Sequence, residues 1–269
     1  MHPLLHPGRH PVVGHRGAAG PAPENTLAAL DFAVAEGAEA LEFDVRLAAD
    51  GVPVLLHDPL LDRTTDASGP AAERSSGELA ALDAGYRFSP DGGGAFPWRG
   101  HGAGVPTLRE VLERYPFTPL LVELKVVEAA EPVRRLLLEH AAEDRTIVAS
   151  FLEGALRPFR EAAIPTAASR GGITALWLLT LVGLRAPRIP DRVYAVPDRY
   201  KDRLHVPTAR FIRAAQRAGY PVHVWTVDDP ARAALLWRRG ACGMITNFPG
   251  RLLAERNRLF PAEAGAPAA

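Results

Sequence analysis

Glu42 and Asp44 stand two residues apart in Ala40-Leu41-Glu42-Phe43-Asp44-Val45-Arg46-Leu47, an apolar, strand-like run. Side chains of a strand alternate between its faces, so both carboxylates point the same way, roughly 7 Å apart at about 3.3 Å of rise per residue. Two anions on one face repel unless something positive lies between them, which describes a site and not a core. The same i, i+2 spacing recurs in Glu123/Lys125 and His223/Trp225. His15 and Arg16 close one apolar run, His57 closes another, and Thr246 and Asn247 close a third late in the chain.

Taken together, Glu42, Asp44 and Glu123 offer three carboxylates from neighbouring strands, an oxygen-rich set suited to one hard divalent cation, Mg²⁺ or Ca²⁺. Neither a thiolate nor a His-x₃-His pattern stands in the strand-like runs that carry them, which argues against zinc. His15 and His57 lie beside the acids, and an imidazole that titrates near neutral pH suits general acid or base work. Arg16 and Lys125 add fixed positive charge, so the set describes a site for a phosphorylated substrate; each could instead merely neutralise the acids. Asn25 precedes an apolar helical stretch and is expected to cap it; the residue three further on is Ala28, which leaves no capping box.

These side chains need a scaffold that gathers strand ends. Strand-like runs at 11–14, 40–47, 120–125, 146–150, 166–169, 193–196, 222–227 and 243–247 alternate with helical stretches near 25–36, 107–115, 129–142, 153–163, 172–184, 208–218, 230–239 and 249–258. Eight strands each followed by a helix predict a (β/α)₈ TIM barrel, whose functional groups collect at the C-terminal ends of the strands. A short return strand over 52–57 follows the turn at Asp50-Gly51, and then residues 58–106, rich in Gly, Pro, Asp and Ser, make an inserted excursion expected to lie over one barrel mouth. No linker divides the chain, so one domain over 1–269 is expected, with 261–269 a frayed tail.

Ile173 to Leu184 is twelve residues without a charge and includes Trp177. It is too short to span a bilayer; it reads either as a helix packed under a loop or as an apolar rim that touches lipid-like substrates. The whole chain of 269 residues is 47% hydrophobic and balances 31 basic against 31 acidic side chains, so nothing draws it to nucleic acid or inserts it stably in a membrane. The single Cys242 forms no internal disulfide, and no secretion signal opens the chain; a cytoplasmic location is expected, with the oligomeric state open.

These motifs resemble the glycerophosphodiester phosphodiesterase family. The resemblance runs in order through Gly14-His15-Arg16-Gly17, Pro23-Glu24-Asn25-Thr26, Glu42-Phe43-Asp44-Val45, His57-Asp58, Asp62-Arg63-Thr64-Thr65, Val122-Glu123-Leu124-Lys125, Val224-Trp225-Thr226-Val227 and Ile245-Thr246-Asn247-Phe248-Pro249. Asn247 stands where that family often carries Asp, and a neutral side chain there reads as structural. The resemblance implies hydrolysis of small glycerophosphodiesters to sn-glycerol 3-phosphate and an alcohol. It implies Glu42, Asp44 and Glu123 as ligands of one divalent cation, His15 and His57 as the acid/base pair, Arg16 and Lys125 on the phosphate, and Trp225 against the glycerol. Two other readings compete: a phospholipase D-type enzyme acting on lysophospholipids, and a barrel that binds phosphodiesters without cleaving them.

Overall fold

The structure, a computed structural model, describes residues 2–201 and 203–261. Among the described residues ten strands run in chain order: β1 (Val12–His15), β2 (Ala40–Leu47), β3 (Pro53–Leu55), β4 (Leu120–Leu124), β5 (Thr146–Ala149), β6 (Tyr194–Pro197), β7 (Arg199–Tyr200), β8 (Leu204–His205), β9 (Val222–Trp225) and β10 (Gly243–Thr246). The helices are α1 (Leu27–Ala35), α2 (Ser76–Ala80), α3 (Leu108–Arg114), α4 (Ala130–Glu139), α5 (Glu153–Glu161), α6 (Arg170–Leu181), α7 (Ala209–Arg217), α8 (Pro230–Arg238) and α9 (Pro249–Leu259).

Seven strands, in the order β5-β4-β2-β1-β10-β9-β6, form a parallel sheet. The eighth place is filled by Thr166 and Ala167, which bridge Val148 of β5 on one side and Val193 on the other and so complete the (β/α)₈ barrel. The expected strand at 166–169 is therefore only a pair of bridges. Ile164-Pro165 leads into it, and Ser169 already begins α6, which leaves room for one pairing on each side.

Strand alternation explains the layers. Val13, Ala40, Leu121, Ile147, Val193, Ala195 and Ile245 point into the barrel and pack together, with Leu4 of the amino-terminal turn closing the bottom. Their neighbours point outward: Phe43, Val45, Val122 and Val148 meet the helices of one half, and Tyr194, Val196, Val222, Val224 and Met244 those of the other. Inward positions above this apolar floor carry the polar groups. His223 shares the inward face of β9 with Trp225 but lies one layer lower, so it belongs to the floor and not to the site: it is buried, and its Nε2 lies 2.8 Å from the carbonyl of Leu4.

That placement has a measurable consequence. Burial pushes both His223 and the nearby His2 down to about 4. The unfolded chain takes up these protons near pH 6.5 while the folded chain does not, so stability is lost as pH falls from about 6.5 to about 4. Each histidine contributes about 1.4 kcal/mol per pH unit in that window. In His223→Leu the slope of unfolding free energy against pH, from denaturant titrations, is expected to drop by about one proton. An unchanged slope would contradict the assignment.

The return strand is present: β3 pairs antiparallel with the end of β2, Val45 opposite Leu55 and Leu47 opposite Pro53. The excursion that follows is not merely polar covering. Leu56, Leu61, Ala71, Leu79, Ala84 and Val105 are buried in a core of their own against Ala48 and Val54, and a Ser75/Glu78 capping box starts α2. The excursion docks beside the mouth, with Trp98 Nε1 donating to the carbonyl of Pro21 at 3.1 Å. The proposed tail lies, apart from Pro261, outside the described residues. Among the described residues no helix is long and apolar enough to cross a membrane.

Candidate active site

The register of the sheet brings the chemistry together. His15 at the end of β1 pairs with Glu42, and Asp44 pairs with Glu123 of β4, so two pairs of inward residues from three adjacent strands stack on one quadrant of the mouth. One carboxylate oxygen from each of Glu42, Asp44 and Glu123 lies within 4.8 Å of the others. A cavity of about 90 Å³ above them is lined by His15, Arg16, Glu42, His57, Glu123, Lys125 and Trp225, among others. Of the eight residues singled out from sequence, only Asp44 is not in the wall, because it lies beneath the others at 1% exposure. No residue of 58–106 lines this cavity, so the excursion does not roof it as expected.

Asp44 is the electrostatic hub. Lys125 Nζ sits 2.8 Å from Asp44 Oδ1 and 2.7 Å from Glu123 Oε1, and Arg16 Nε lies 3.0 Å from Asp44 Oδ2. Burial alone would raise the Asp44 carboxyl, but Lys125 and Arg16 outweigh it and hold it at about 2. Glu42 behaves oppositely. Burial, with Asp44 and Glu123 close by, pushes it well above the usual carboxylate range, although the backbone N–H of Arg16 donates to its Oε2 at 2.9 Å. Three converging carboxylates thus face two cations, and the one furthest from a cation resists ionising. An all-oxygen donor set with this surplus of negative charge fits a hard divalent cation.

Local backbone makes the arrangement possible. The strand exit Arg16-Gly17 turns through φ 52° and 83°, and a Cβ on Gly17 would fall 2.4 Å from the Ala29 carbonyl carbon, so only glycine lets the loop lie on α1. Asn25 also has positive φ, at 57°, and does not cap α1. The cap is Thr26, whose backbone is extended as a cap requires and whose Oγ1 accepts from Ala29 N–H at 3.2 Å. Asn25 instead clamps Asp44: its Nδ2 donates to Oδ2 at 2.9 Å, and its Oδ1 accepts from the Asp44 N–H at 3.0 Å.

The two histidines are held differently. His15 Nδ1 lies 2.8 Å from Asn247 Oδ1. Asn247 Nδ2 donates to Asp228 Oδ2 at 2.8 Å, and Asp228 also accepts from Asn247 N–H and Thr246 Oγ1 at 2.8 and 2.9 Å. With its NH₂ committed to Asp228, the Asn247 amide turns its oxygen to His15; Nδ1 must donate, and Nε2 keeps its lone pair. Burial first, and then the Arg16 charge, push His15 down to about 4, so it is neutral at pH 7. Asn247 is therefore a positioning residue of the site, more than the structural residue its neutral side chain suggests. His57 Nδ1 instead meets a carboxylate, Asp58 Oδ1, at 2.6 Å, a partner that compensates a positive ring.

Sequence reasoning quoted Glu24, Asp58 and Arg63 within motifs but gave them no role in the site, and it did not single out Asp228 or Phe151. Asp228 and Phe151 follow strand ends, where the rule that singled out the others would have found them. Glu24 accepts from Arg16 Nη1 at 2.8 Å and from Arg63 at 2.6 and 2.7 Å, a pairing across 39 residues that no local pattern reveals.

Known proteins share this sequence and fold. The model of the glycerophosphoryl diester phosphodiesterase family matches residues 15–251. A glycerophosphodiester phosphodiesterase of Bacillus altitudinis is 33% identical over 258 residues, covering 92% of this chain and 98% of that protein. A solved glycerophosphodiester phosphodiesterase from Agrobacterium tumefaciens strain C58 is similar with a TM-score of 0.73 and 28% identity, over 91% of this chain and 99% of that one. A phosphodiesterase of Oleispira antarctica, solved in complex with the product sn-glycerol-3-phosphate, is similar with a TM-score of 0.71 and 26% identity, over 92% of this chain and 96% of that one. With nearly its whole barrel matched and its acids, histidines and cations gathered at one mouth, the chain belongs to the glycerophosphoryl diester phosphodiesterase family and is an enzyme of that kind.

Proposed function

We propose that this enzyme hydrolyses glycerophosphodiesters to sn-glycerol 3-phosphate and an alcohol, using one divalent cation and a pair of histidines. The observation that carries the reading is the meeting of three carboxylates within 4.8 Å beside two cations and two oppositely partnered histidines. The product complex of the Oleispira antarctica relative supports the choice of substrate.

Glu42, Asp44 and Glu123 would hold the cation, which when bound supplies Lewis acidity toward phosphoryl and hydroxyl oxygens. Arg16 and Lys125 hold the phosphate and offset charge developing on its oxygens. His15, neutral with a free Nε2, accepts the proton of the attacking oxygen; His57, backed by Asp58, donates one to the departing alcohol. Trp225 gives the glycerol an apolar wall. The reading carries a cytoplasmic location, which the free buried thiol of Cys242 supports.

The test is release of sn-glycerol 3-phosphate from glycerophosphocholine, followed with a coupled dehydrogenase. Activity should vanish on exhaustive chelation and return with Mg²⁺ or Ca²⁺, the more effective ion identifying the physiological one. Full activity after chelation would remove the cation from the proposal, and no release under any condition would remove the substrate.

A further inference from the structure

A large, mostly apolar cavity adjoins the polar one. It occupies about 560 Å³ between α6 and the β7–β8 hairpin, lined by Ile173, Trp177, Leu178, Leu204, Phe151 and Trp225 together with a few polar neighbours. That volume lies within the range of roughly 300–1,000 Å³ typical of small-molecule sites and is far more than a free glycerol needs. Phe151 and Trp225 belong to the walls of both cavities, and their rings meet edge-on at 6.0 Å, so the two spaces share a doorway.

The composition of the wall says what enters. Arg170, Arg199 and Lys201 also border the cavity, the Arg170 guanidinium lying 5.3 Å from the Phe151 ring centroid, and among the described residues no acidic side chain lines it. One side of α6 is committed to the core through Ile173 and Leu176, whereas Leu178 and Leu181 are each 54% exposed. The uncharged stretch 173–184 is thus both a packed helix and an apolar rim, the two readings of its sequence being two faces of one element. An apolar chamber that adjoins the proposed phosphate site and is bordered by Arg170, Arg199 and Lys201 matches a molecule with a phosphate at one end and a hydrocarbon chain at the other.

We propose that this cavity takes the acyl chain of a single-chain glycerophosphodiester, making lysophospholipids substrates. The proposal rests on the phosphodiesterase reading, since it is Trp225 against the glycerol that directs a chain esterified to that glycerol through the doorway. The chemistry is the same net hydrolysis. The oxygen of water ends on phosphorus, the phosphorus–oxygen bond to the headgroup alcohol breaks, and one proton goes to His15 while His57 gives one to the alcohol. From lysophosphatidylcholine and water the products are acylglycerol 3-phosphate and choline.

The experiment is choline release from glycerophosphocholine and from lysophosphatidylcholines of rising chain length, each kept below its micelle-forming concentration. Every methylene that is fully buried should raise kcat/KM by about fourfold, the equivalent of about 0.8 kcal/mol, until the cavity is full. Leu178→Glu, an exposed position outside the catalytic machinery, should flatten this rise and leave glycerophosphocholine turnover unchanged. Turnover of glycerophosphocholine with no gain along the series, or a gain that Leu178→Glu leaves intact, overturns the acyl site and spares the phosphodiesterase reading. No choline from any substrate overturns both.

Discussion

Replacing His15 with alanine is expected to lower kcat on glycerophosphocholine by at least about 10²-fold, and up to about 10⁴-fold, with the fold intact. The magnitude is that of a general base removed from a site otherwise complete, because Arg16, Lys125 and the acidic cluster stay in place. Stability should change little, since the imidazole makes one described side-chain hydrogen bond, to Asn247. The base must be neutral, and burial with the neighbouring Arg16 sets His15 at about 4, so the acid limb of kcat/KM should fall nearer pH 4 than the 6.5 of a free histidine. Asn247→Leu, which removes the acceptor that fixes the tautomer, should lower kcat by less than His15→Ala does and leave KM nearly unaltered. Near-wild-type turnover of His15→Ala, or a limb near 6.5, would dismiss His15 as the base.

The second expectation sets two acids of one cluster against each other. In the cation-free protein Asp44→Asn should cost about 3 kcal/mol, the penalty for removing one partner of a buried ion pair and leaving Lys125 and Arg16 short of negative charge. Glu42→Gln should leave that protein as stable or make it more so, because Glu42 already favours its uncharged form and glutamine keeps an oxygen for the Arg16 N–H. Asp44 is depressed to about 2 when folded, so its stabilising effect is complete above its unfolded value near 3.9 and is lost as pH falls through about 2. The gap between wild type and Asp44→Asn should therefore narrow between pH 4 and pH 2. Both variants should lose cation affinity, measured by calorimetry, along with activity. Equal stabilities for the two at neutral pH would mean that the charge distribution described for the cluster is wrong.

Much of this was written in local pattern. Alternation placed Glu42 with Asp44 and Glu123 with Lys125 on common faces, and the repeating strand–helix rhythm identified a barrel whose strand ends collect function; both depend on periods of two and 3.6 residues that are properties of the chain. The residue types then led to the proposal of an oxygen-lined cation site beside proton carriers and phosphate-binding cations. What the linear pattern does not contain is register and depth. Only the pairing of Asp44 with Glu123, and of His15 with Glu42, sets which acids converge. Only depth separates His223 in the floor from Trp225 at the mouth of the same strand face. The clamp of Asn25 on Asp44, the Asp228–Asn247–His15 chain and the apolar chamber beyond Trp225 join residues 19 to 232 positions apart. Hydrogen-bond geometry and burial act through space, so these features exist only once the barrel has closed.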